Sequence, residues 1–248
     1  MVKKAAFRFY EELNDFLPED KRKIRFIHKF ADRASVKDMI ESLGVPHSEI
    51  DMILVNGNSV DFGHIVEDGD DISVYPVFES LDITDIQHLR NKPLREPKFV
   101  ADVHLGSLAK YMRMLGFDVS YKNNFTDEEI IEISLNENRT ILTRDRGLLK
   151  NNRITHGYWI RNEVTEQQVK EVIKRFDLKN DIHEFLRCLE CNNILEPVEK
   201  GDIEKRLPPK VKDWHNEFWY CSSCDRIYWR GTHFEKMTKF IERLRNDL

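Results

Sequence analysis

The chain has 248 residues, of which 40% are hydrophobic and 33% charged, so it is long enough for two or three domains with buried cores. No apolar run approaches the roughly 20 residues that span a bilayer, and the first residues contain no apolar signal segment; we expect a cytoplasmic protein without membrane contact. The net charge is −5, which argues against a chain that binds nucleic acid along its whole length. Residues 1–97 hold 13 Lys and Arg against 19 Asp and Glu, whereas residues 98–248 hold 26 against 25, so only the second part could contact a polyanion.

The first 80 residues predict a small domain of strands around one helix. Alternating apolar residues predict strands at residues 5–10, 23–30, 51–55, 59–62 and 72–78. Ser35 is a typical helix N-cap, and Asn56-Gly57 is typical of a tight hairpin turn. This order of elements is that of the β-grasp, or ubiquitin-like, fold. The stretch from Val55 resembles the sulfur-carrier branch of that fold but lacks the free Gly-Gly end, so we predict a structural or protein-docking module over residues 1–80.

Strands and helices alternate from residue 98 to residue 180, after a predicted linker at residues 81–97. The predicted strands are residues 98–102, 117–121, 139–143 and 157–160. Helices are predicted at residues 107–115, after a Thr126–Glu129 capping box, as a short turn at residues 145–150, and from Thr165. Repeated β-α units of this length predict a parallel sheet with right-handed crossovers.

Carboxylates follow two of these strands. Asp102 ends the first strand of this region and Asp145 follows the third. Carboxyl ends of parallel strands meet at one edge of a sheet, where neighbouring backbones lie about 5 Å apart. Two carboxylates that close repel unless a cation separates them, and Asp127 and Glu128 at a helix start could add oxygen ligands. The four acids therefore predict a Mg²⁺ or Mn²⁺ site that hydrolyses phosphodiester bonds.

Two arginines flank the second of these carboxylates. Arg144 and Arg146 could bind a backbone phosphate, because a guanidinium matches phosphate geometry. Each acid also has a structural alternative: Asp102 could cap the next helix, and the acids at the later helix start could only complement its dipole. Asp145 could simply pair with its arginines.

The last third of the chain carries all four cysteines, in two C-x-x-C pairs: Cys188, Cys191, Cys221 and Cys224. Four thiolates in this spacing predict a structural tetrahedral zinc site, with a redox C-x-x-C as the alternative. The pairs are separated by 29 residues, more than the usual 15–20, so we expect an inserted loop. Nearby aromatic residues could stack on unpaired bases or pack a small domain; they are Trp214, Phe218, Trp219, Tyr220, Tyr228 and Trp229. We predict a zinc ribbon with a terminal helix over residues 181–248.

The sequence resembles a known family, the Mut-seven C-terminal ribonuclease domain, which has a PIN-like fold. The resemblance lies in the stretches that contain Asp102, Asp127-Glu128 and Asp145, and in the two cysteine pairs. An N-terminal ubiquitin-like domain also occurs in that family. The resemblance implies a metal-dependent ribonuclease with Asp102, Asp127 or Glu128, and Asp145 as the acidic site. It also implies Arg113 and Arg144 as partners of phosphate or carboxylate.

We therefore expect a multidomain protein of mixed α/β and α+β class: a β-grasp domain, a PIN-like parallel α/β domain and a zinc ribbon. Its expected activity is hydrolysis of RNA with Mg²⁺ or Mn²⁺, and its expected structural cofactor is Zn²⁺. The alternative is a catalytically weak RNA-binding or adaptor protein. In that case the ribbon and the basic turn bind RNA, and the β-grasp domain docks a protein partner.

Overall fold

The computed structural model describes residues 2–76 and 97–247. The predicted linker, except for Pro97, lies outside the described residues. The chain divides into two compact units: residues 1–96 with 131–159, and residues 97–130 with 160–248.

The first unit contains a five-stranded mixed sheet in the order β2-β1-β5-β3-β4. Its strands are β1 (Lys3–Phe9), β2 (Phe26–Phe30), β3 (Ile50–Val55), β4 (Asn58–Val60) and β5 (Asp71–Pro76). β1 and β5 pair in parallel, and the other neighbours are antiparallel. The five strands predicted from the sequence are confirmed, with ends that differ by up to a few residues.

One helix, α1 (Val36–Ser42), packs on this sheet. Ser35 accepts a hydrogen bond from the N–H of Asp38, and the Asp38 side chain accepts one from the N–H of Ser35, which confirms the predicted N-cap and completes a capping box. Val36, Met39 and Ile40 are buried in the core of the sheet. A short 3-10 helix, His47–Glu49, then leads directly into β3.

Between residues 99 and 175, short buried strands alternate with helices. The elements are β6 (Phe99–Ala101), α2 (Gly106–Met114), β7 (Val119–Ser120), α3 (Asp127–Glu137), β8 (Thr140–Thr143), α4 (Arg146–Leu149), β9 (Gly157–Trp159) and α5 (Thr165–Arg175). β6 pairs in parallel with β7 in the second unit, and β8 pairs in parallel with β9 in the first. Every residue of β6 and β8 is buried, which fits strands covered on both faces.

The cysteine-containing region forms an antiparallel sheet in the order β10-β11-β12, followed by a long helix. The elements are β10 (Glu196–Val198), α6 (Lys200–Ile203), α7 (Pro209–Trp214), β11 (Phe218–Cys221), β12 (Arg226–Trp229) and α8 (Thr232–Asp247). The two short helices fill the long gap between the cysteine pairs, where Ile203 and Leu207 pack against Phe218. The insertion, expected as a loop, is therefore partly helical, and it carries a small apolar cluster of its own.

Among the helices that the structure describes, none has both the length and the hydrophobicity that crossing a bilayer requires.

Candidate zinc centre and acidic residues

The four cysteines converge. Their sulfur atoms all lie within 4.8 Å of one another, with 3.5 Å between Cys188 and Cys224 and 3.3 Å between Cys191 and Cys221. Tetrahedral zinc with Zn–S bonds of about 2.3 Å places the sulfurs about 3.8 Å apart. A disulfide would need about 2.05 Å. The arrangement therefore fits a tetrahedral metal site and does not fit disulfides.

Each cysteine pair is shaped by a residue with left-handed backbone just after its second cysteine. Asn192 has φ +71° and Asp225 has φ +59°. Asn and Asp are the non-glycine residues that adopt this conformation most readily. The N–H of Asn192 donates to the carbonyl of Cys188, and the N–H of Asp225 donates to that of Cys221. The same local turn thus closes both pairs and aims their sulfurs at one point.

The thiol of Cys188 ionises more readily than those of Cys191 and Cys224. Burial alone would raise its pKa, but hydrogen bonds from the Tyr228 hydroxyl, at 3.1 Å, and from the backbone N–H groups of Cys191 and Glu190 bring the pKa to about 7. Burial raises the pKa of Cys191 and also that of Cys224. A divalent cation would favour the thiolate form of all four.

Most aromatic residues of this region pack the small domain. Trp219 and Tyr228 lie against the cysteine cluster, while Phe218 and Trp229 belong to the cluster of the insertion. Trp214 differs, because 82% of it is exposed. The packing interpretation therefore holds for these four side chains.

Arg113 connects the first cysteine pair to α2 and β7. The residue is only 2% exposed. Its Nε donates to the carbonyl of Val119 at 2.9 Å, and its Nη1 donates to those of Leu189 and Glu190 at 3.0 and 2.8 Å. Burial lowers the pKa of Arg113, and the neighbouring cysteines oppose that shift. The structure thus places this guanidinium on main-chain carbonyls, and the predicted contact with substrate stays a prediction.

Asp102 follows β6 at the N-cap position of a short 3-10 helix, Val103–Leu105. It is buried, with 6% of its surface exposed, and its side chain makes no capping hydrogen bond there. Helix capping, the structural alternative for Asp102, therefore does not explain this carboxylate.

The first turn of α3 carries three acidic residues, of which only Glu129 takes part in the helix cap. The N–H of Thr126 donates to Glu129 at 2.7 Å, and the N–H of Glu129 donates to the Thr126 hydroxyl at 3.2 Å, so the predicted capping box is confirmed. The backbone hydrogen bond from Thr126 lowers the pKa of Glu129. Asp127 and Glu128 lie exposed in the same turn. Their predicted role as metal ligands remains a prediction.

Asp145 follows β8 as the N-cap of α4. Its Oδ1 accepts a hydrogen bond from the N–H of Gly147 at 2.6 Å, and its own N–H donates to the Thr143 hydroxyl at 2.9 Å. The Arg146 guanidinium lies 3.8 Å from the ring centroid of Trp159. Arg146 therefore stacks on an aromatic ring beside Asp145. Like Arg144, which is exposed, it keeps its phosphate-binding role only as a prediction.

The 3-10 helix before β3 holds the segment that follows Asp145. Ser48 donates from Oγ to the carbonyl of Leu149 at 3.0 Å, and Glu49 accepts from the N–H of Trp159 at 2.6 Å. A ring nitrogen of His47 lies 2.9 Å from the carbonyl of Ile154. Burial lowers the pKa of His47, and its hydrogen bond with Glu41 opposes the shift.

Sequence patterns did not reveal these polar contacts. A polar stretch between a helix and a strand normally indicates solvent-exposed backbone. Here Ser48 and Glu49 are 1% and 2% exposed. The N-terminal sheet and the Asp145 segment consequently form one compact unit.

These features define an α/β protein with strand-end carboxylates and a separate four-cysteine centre. Residues 97–241 match the Mut7-C RNAse domain family, and residues 2–82 match the Mut7-C ubiquitin family. The chain therefore belongs to the Mut7-C RNAse domain family and carries the ubiquitin-like domain at its N-terminal end, as its sequence resemblance predicted. No curated protein and no solved structure matches it.

Proposed function

We propose that this protein hydrolyses RNA phosphodiester bonds at a divalent-metal site. The match of residues 97–241 to an RNAse domain family carries the proposal. The local positions of the acids support it, because Asp102 follows a buried parallel strand without capping a helix, and Asp145 follows another such strand. In open α/β sheets, ligands bind outside the carboxyl ends of strands of this kind.

The proposed ligands of Mg²⁺ or Mn²⁺ are the carboxylates of Asp102, Asp127, Glu128 and Asp145. Carboxylate oxygens are the donors that these hard cations prefer. The N–H of Gly147 fixes one oxygen of Asp145, which orients the carboxylate. When bound, such an ion would activate a water molecule and neutralise developing charge.

Arg144 and Arg146 are the proposed phosphate-binding residues. The stack of Arg146 on Trp159 limits the rotation of its guanidinium, so less side-chain entropy is lost when it binds an anion. Arg144 is exposed at the same turn. Arg113 remains a proposed substrate residue only through the family resemblance, since its donors are directed at backbone carbonyls.

The four cysteines are proposed to bind one structural Zn²⁺. Four thiolates close a tetrahedral site and leave no position for a reacting water. The finer fold assignments are also proposals: a β-grasp domain at residues 1–80, a linker at 81–97, a PIN-like domain at 98–180 and a zinc ribbon with terminal helix at 181–248. The strand order of the first sheet and the antiparallel three-stranded sheet around the cysteines support them.

The β-grasp domain is further proposed to dock a protein partner. Its 3-10 helix at His47–Glu49 already contacts residues of the α4–β9 segment, so a partner would use another face of the domain. RNA is the proposed substrate and partner of the part of the chain after residue 97. The expected cytoplasmic location stays a prediction.

The test is cleavage of a mixed RNA pool by the full chain with added Mg²⁺ or Mn²⁺. We expect Asp102→Asn and Asp145→Asn to lower the cleavage rate about 100-fold or more, because a metal site supplies several kcal/mol of transition-state stabilisation. Asp213→Asn, at an exposed carboxylate in the insertion, is the matched control. Equal cleavage by all four proteins would refute the acidic site. RNA binding without cleavage by any of them would favour the RNA-binding alternative.

A further inference from the structure

A cavity of about 660 Å³ opens in the second unit beside the start of α2. Three elements line it: the first turns of α2, the loop that follows β7 and the turn between Cys188 and Cys191, through Glu190. Its lining includes the side chains of Ser107, Lys110, Tyr121, Lys122, Asn124 and Glu190. The volume lies within the range of about 300–1,000 Å³ that is typical of ligand sites.

The cavity lies at the carboxyl ends of β6 and β7. Asp102 follows β6, and α2 begins four residues later. The Tyr121 hydroxyl donates to the carbonyl of Val103, the residue next to Asp102, at 3.0 Å. A ligand in the cavity would therefore lie beside the strand end that carries one of the proposed metal ligands.

The lining chemistry suits an anion with an attached planar group. Lys110 pairs with Glu190 at 2.9 Å, so these two charges offset each other. Lys122 lies over the ring of Phe125 and interacts electrostatically with Glu129, without a direct ion pair to any residue in the described parts of the chain. It is exposed at the cavity, together with Ser107 and Asn124, which can donate hydrogen bonds.

Tyr121 adds an aromatic ring in a fixed position. Its hydroxyl is held by the Val103 carbonyl, and Gly106 lets the ring lie directly against the start of α2. A Cβ atom at Gly106 would come within 2.5 Å of the Tyr121 hydroxyl oxygen. A cationic groove with an aromatic ring is the usual arrangement that binds single-stranded nucleic acid, since every base can stack on a ring.

The cysteine turn forms one wall of this cavity. Arg113 holds the carbonyls of Leu189 and Glu190, and the Asn192 side chain accepts a hydrogen bond from the N–H of Val119 at 3.0 Å. The position of Glu190 at the cavity consequently depends on the turn that the first two cysteines shape.

We infer that this cavity binds one nucleotide of single-stranded RNA, with Lys122 at its phosphate, Tyr121 against its base and the cysteine turn as one wall. The inference rests on the proposed function, since it supplies a substrate subsite next to Asp102. It assigns the four-cysteine region a role in shaping the RNA-binding surface as well as in stability.

The experiment measures fluorescence anisotropy of a labelled oligouridylate with the full chain, without added Mg²⁺ or Mn²⁺ and across a range of salt concentrations. Lys122→Ala should weaken binding about five-fold and lower the salt slope by about 0.7–1, the value for one lost phosphate contact. Glu190→Gln should strengthen binding about two- to three-fold at low salt, because it removes the anion from the cavity. Lys174→Ala, at an exposed lysine of α5, is the matched control.

Equal binding by Lys122→Ala and Lys174→Ala would overturn the inference. So would an affinity for duplex RNA that equals the affinity for the single strand and depends equally on Lys122. Cleavage assays on the same proteins separate the two proposals. If the wild type binds RNA through Lys122 but does not cleave it, the proposed hydrolysis is refuted and the proposed nucleotide site is supported. If the wild type cleaves RNA and Lys122→Ala does not change binding, only the proposed nucleotide site is refuted.

Discussion

Replacing Arg113 with methionine tests how the cysteine turn is held to α2. The substitution keeps much of the buried aliphatic volume and removes the charged donors. Three of the hydrogen bonds of Arg113 are 2.8–3.0 Å long, and bonds of this charged type contribute about 1.5–3 kcal/mol each. Methionine recovers part of this through apolar contact and leaves no unpaired charge buried, so the net cost, about 3–5 kcal/mol, is below the sum of the three bonds. We expect the free energy of unfolding to fall by about that amount.

The same substitution should weaken zinc binding. Two of the bonds end on carbonyls between Cys188 and Cys191, so they orient ligands of the proposed metal, and loss of such outer contacts costs about 10–100-fold in affinity. Urea unfolding followed by tryptophan fluorescence measures stability, and competition with a chromogenic chelator measures the zinc affinity. Lys110→Met, one turn earlier on α2, removes only an exposed ion pair and should change stability by less than about 1 kcal/mol. If Arg113→Met unfolds at the same urea concentration as the wild type and binds zinc as tightly, the hydrogen bonds of Arg113 contribute nothing to stability or to zinc affinity.

Three further outcomes follow from the structure. Glu49→Ala leaves the partly buried N–H of Trp159 without this acceptor and should cost about 1–3 kcal/mol, seen as faster amide hydrogen exchange at Trp159. Glu49→Gln keeps an acceptor and should lose less stability. Gly116→Ala should cost about 2–5 kcal/mol in thermal unfolding, because Gly116 has φ +98° and its added Cβ would collide with the backbone of His183. Zinc affinity should fall as the pH is lowered through 7, which is the approximate pKa of Cys188. Zinc must displace one proton from each thiol that is protonated in the metal-free protein, and each such proton lowers the affinity about ten-fold per pH unit.

Each of these three predictions has a result that would contradict it. Unchanged exchange at Trp159 would mean that water replaces Glu49 at no cost. A wild-type melting temperature for Gly116→Ala would contradict the close approach of the two backbones. A zinc affinity that does not depend on pH, measured by chelator competition at several pH values, would exclude thiolate ligands.

Local signals predicted the elements well where periodicity and caps agreed. The Ser35 and Thr126 caps, the Asn56-Gly57 turn and the buried run before Asp145 all lie where the sequence placed them. These signals depend on residues within one turn or one strand, so a single sequence contains them. The cysteine cluster was equally accessible, because ligand chemistry and spacing define it without knowledge of the fold.

Long-range partners were not accessible in this way. From the sequence, Arg113 is expected to be a polar residue on an amphipathic helix. Only the structure shows that carbonyls 76 and 77 residues away accept its hydrogen bonds. The same holds for Lys122 and Glu190, which meet at one cavity from different elements. Sequence spacing carries no information about such contacts, because they join elements that only the folded chain brings together.

The polar docking of the 3-10 helix has a consequence for synthesis of the chain. Ser48 and Glu49 leave the ribosome 101 and 110 residues before the backbone groups that they bind. The last strand of the first sheet ends at Pro76, which precedes Leu149 and Trp159 by 73 and 83 residues. At about 5–20 residues per second, the sheet can therefore be complete for about 4–17 s before that segment arrives. A docking face built from a hydroxyl, a carboxylate and an imidazole is hydrated during the interval, whereas an apolar face would favour association between nascent chains. The polar residues that later join the two parts of the unit thus also keep the N-terminal sheet from associating with other nascent chains during synthesis.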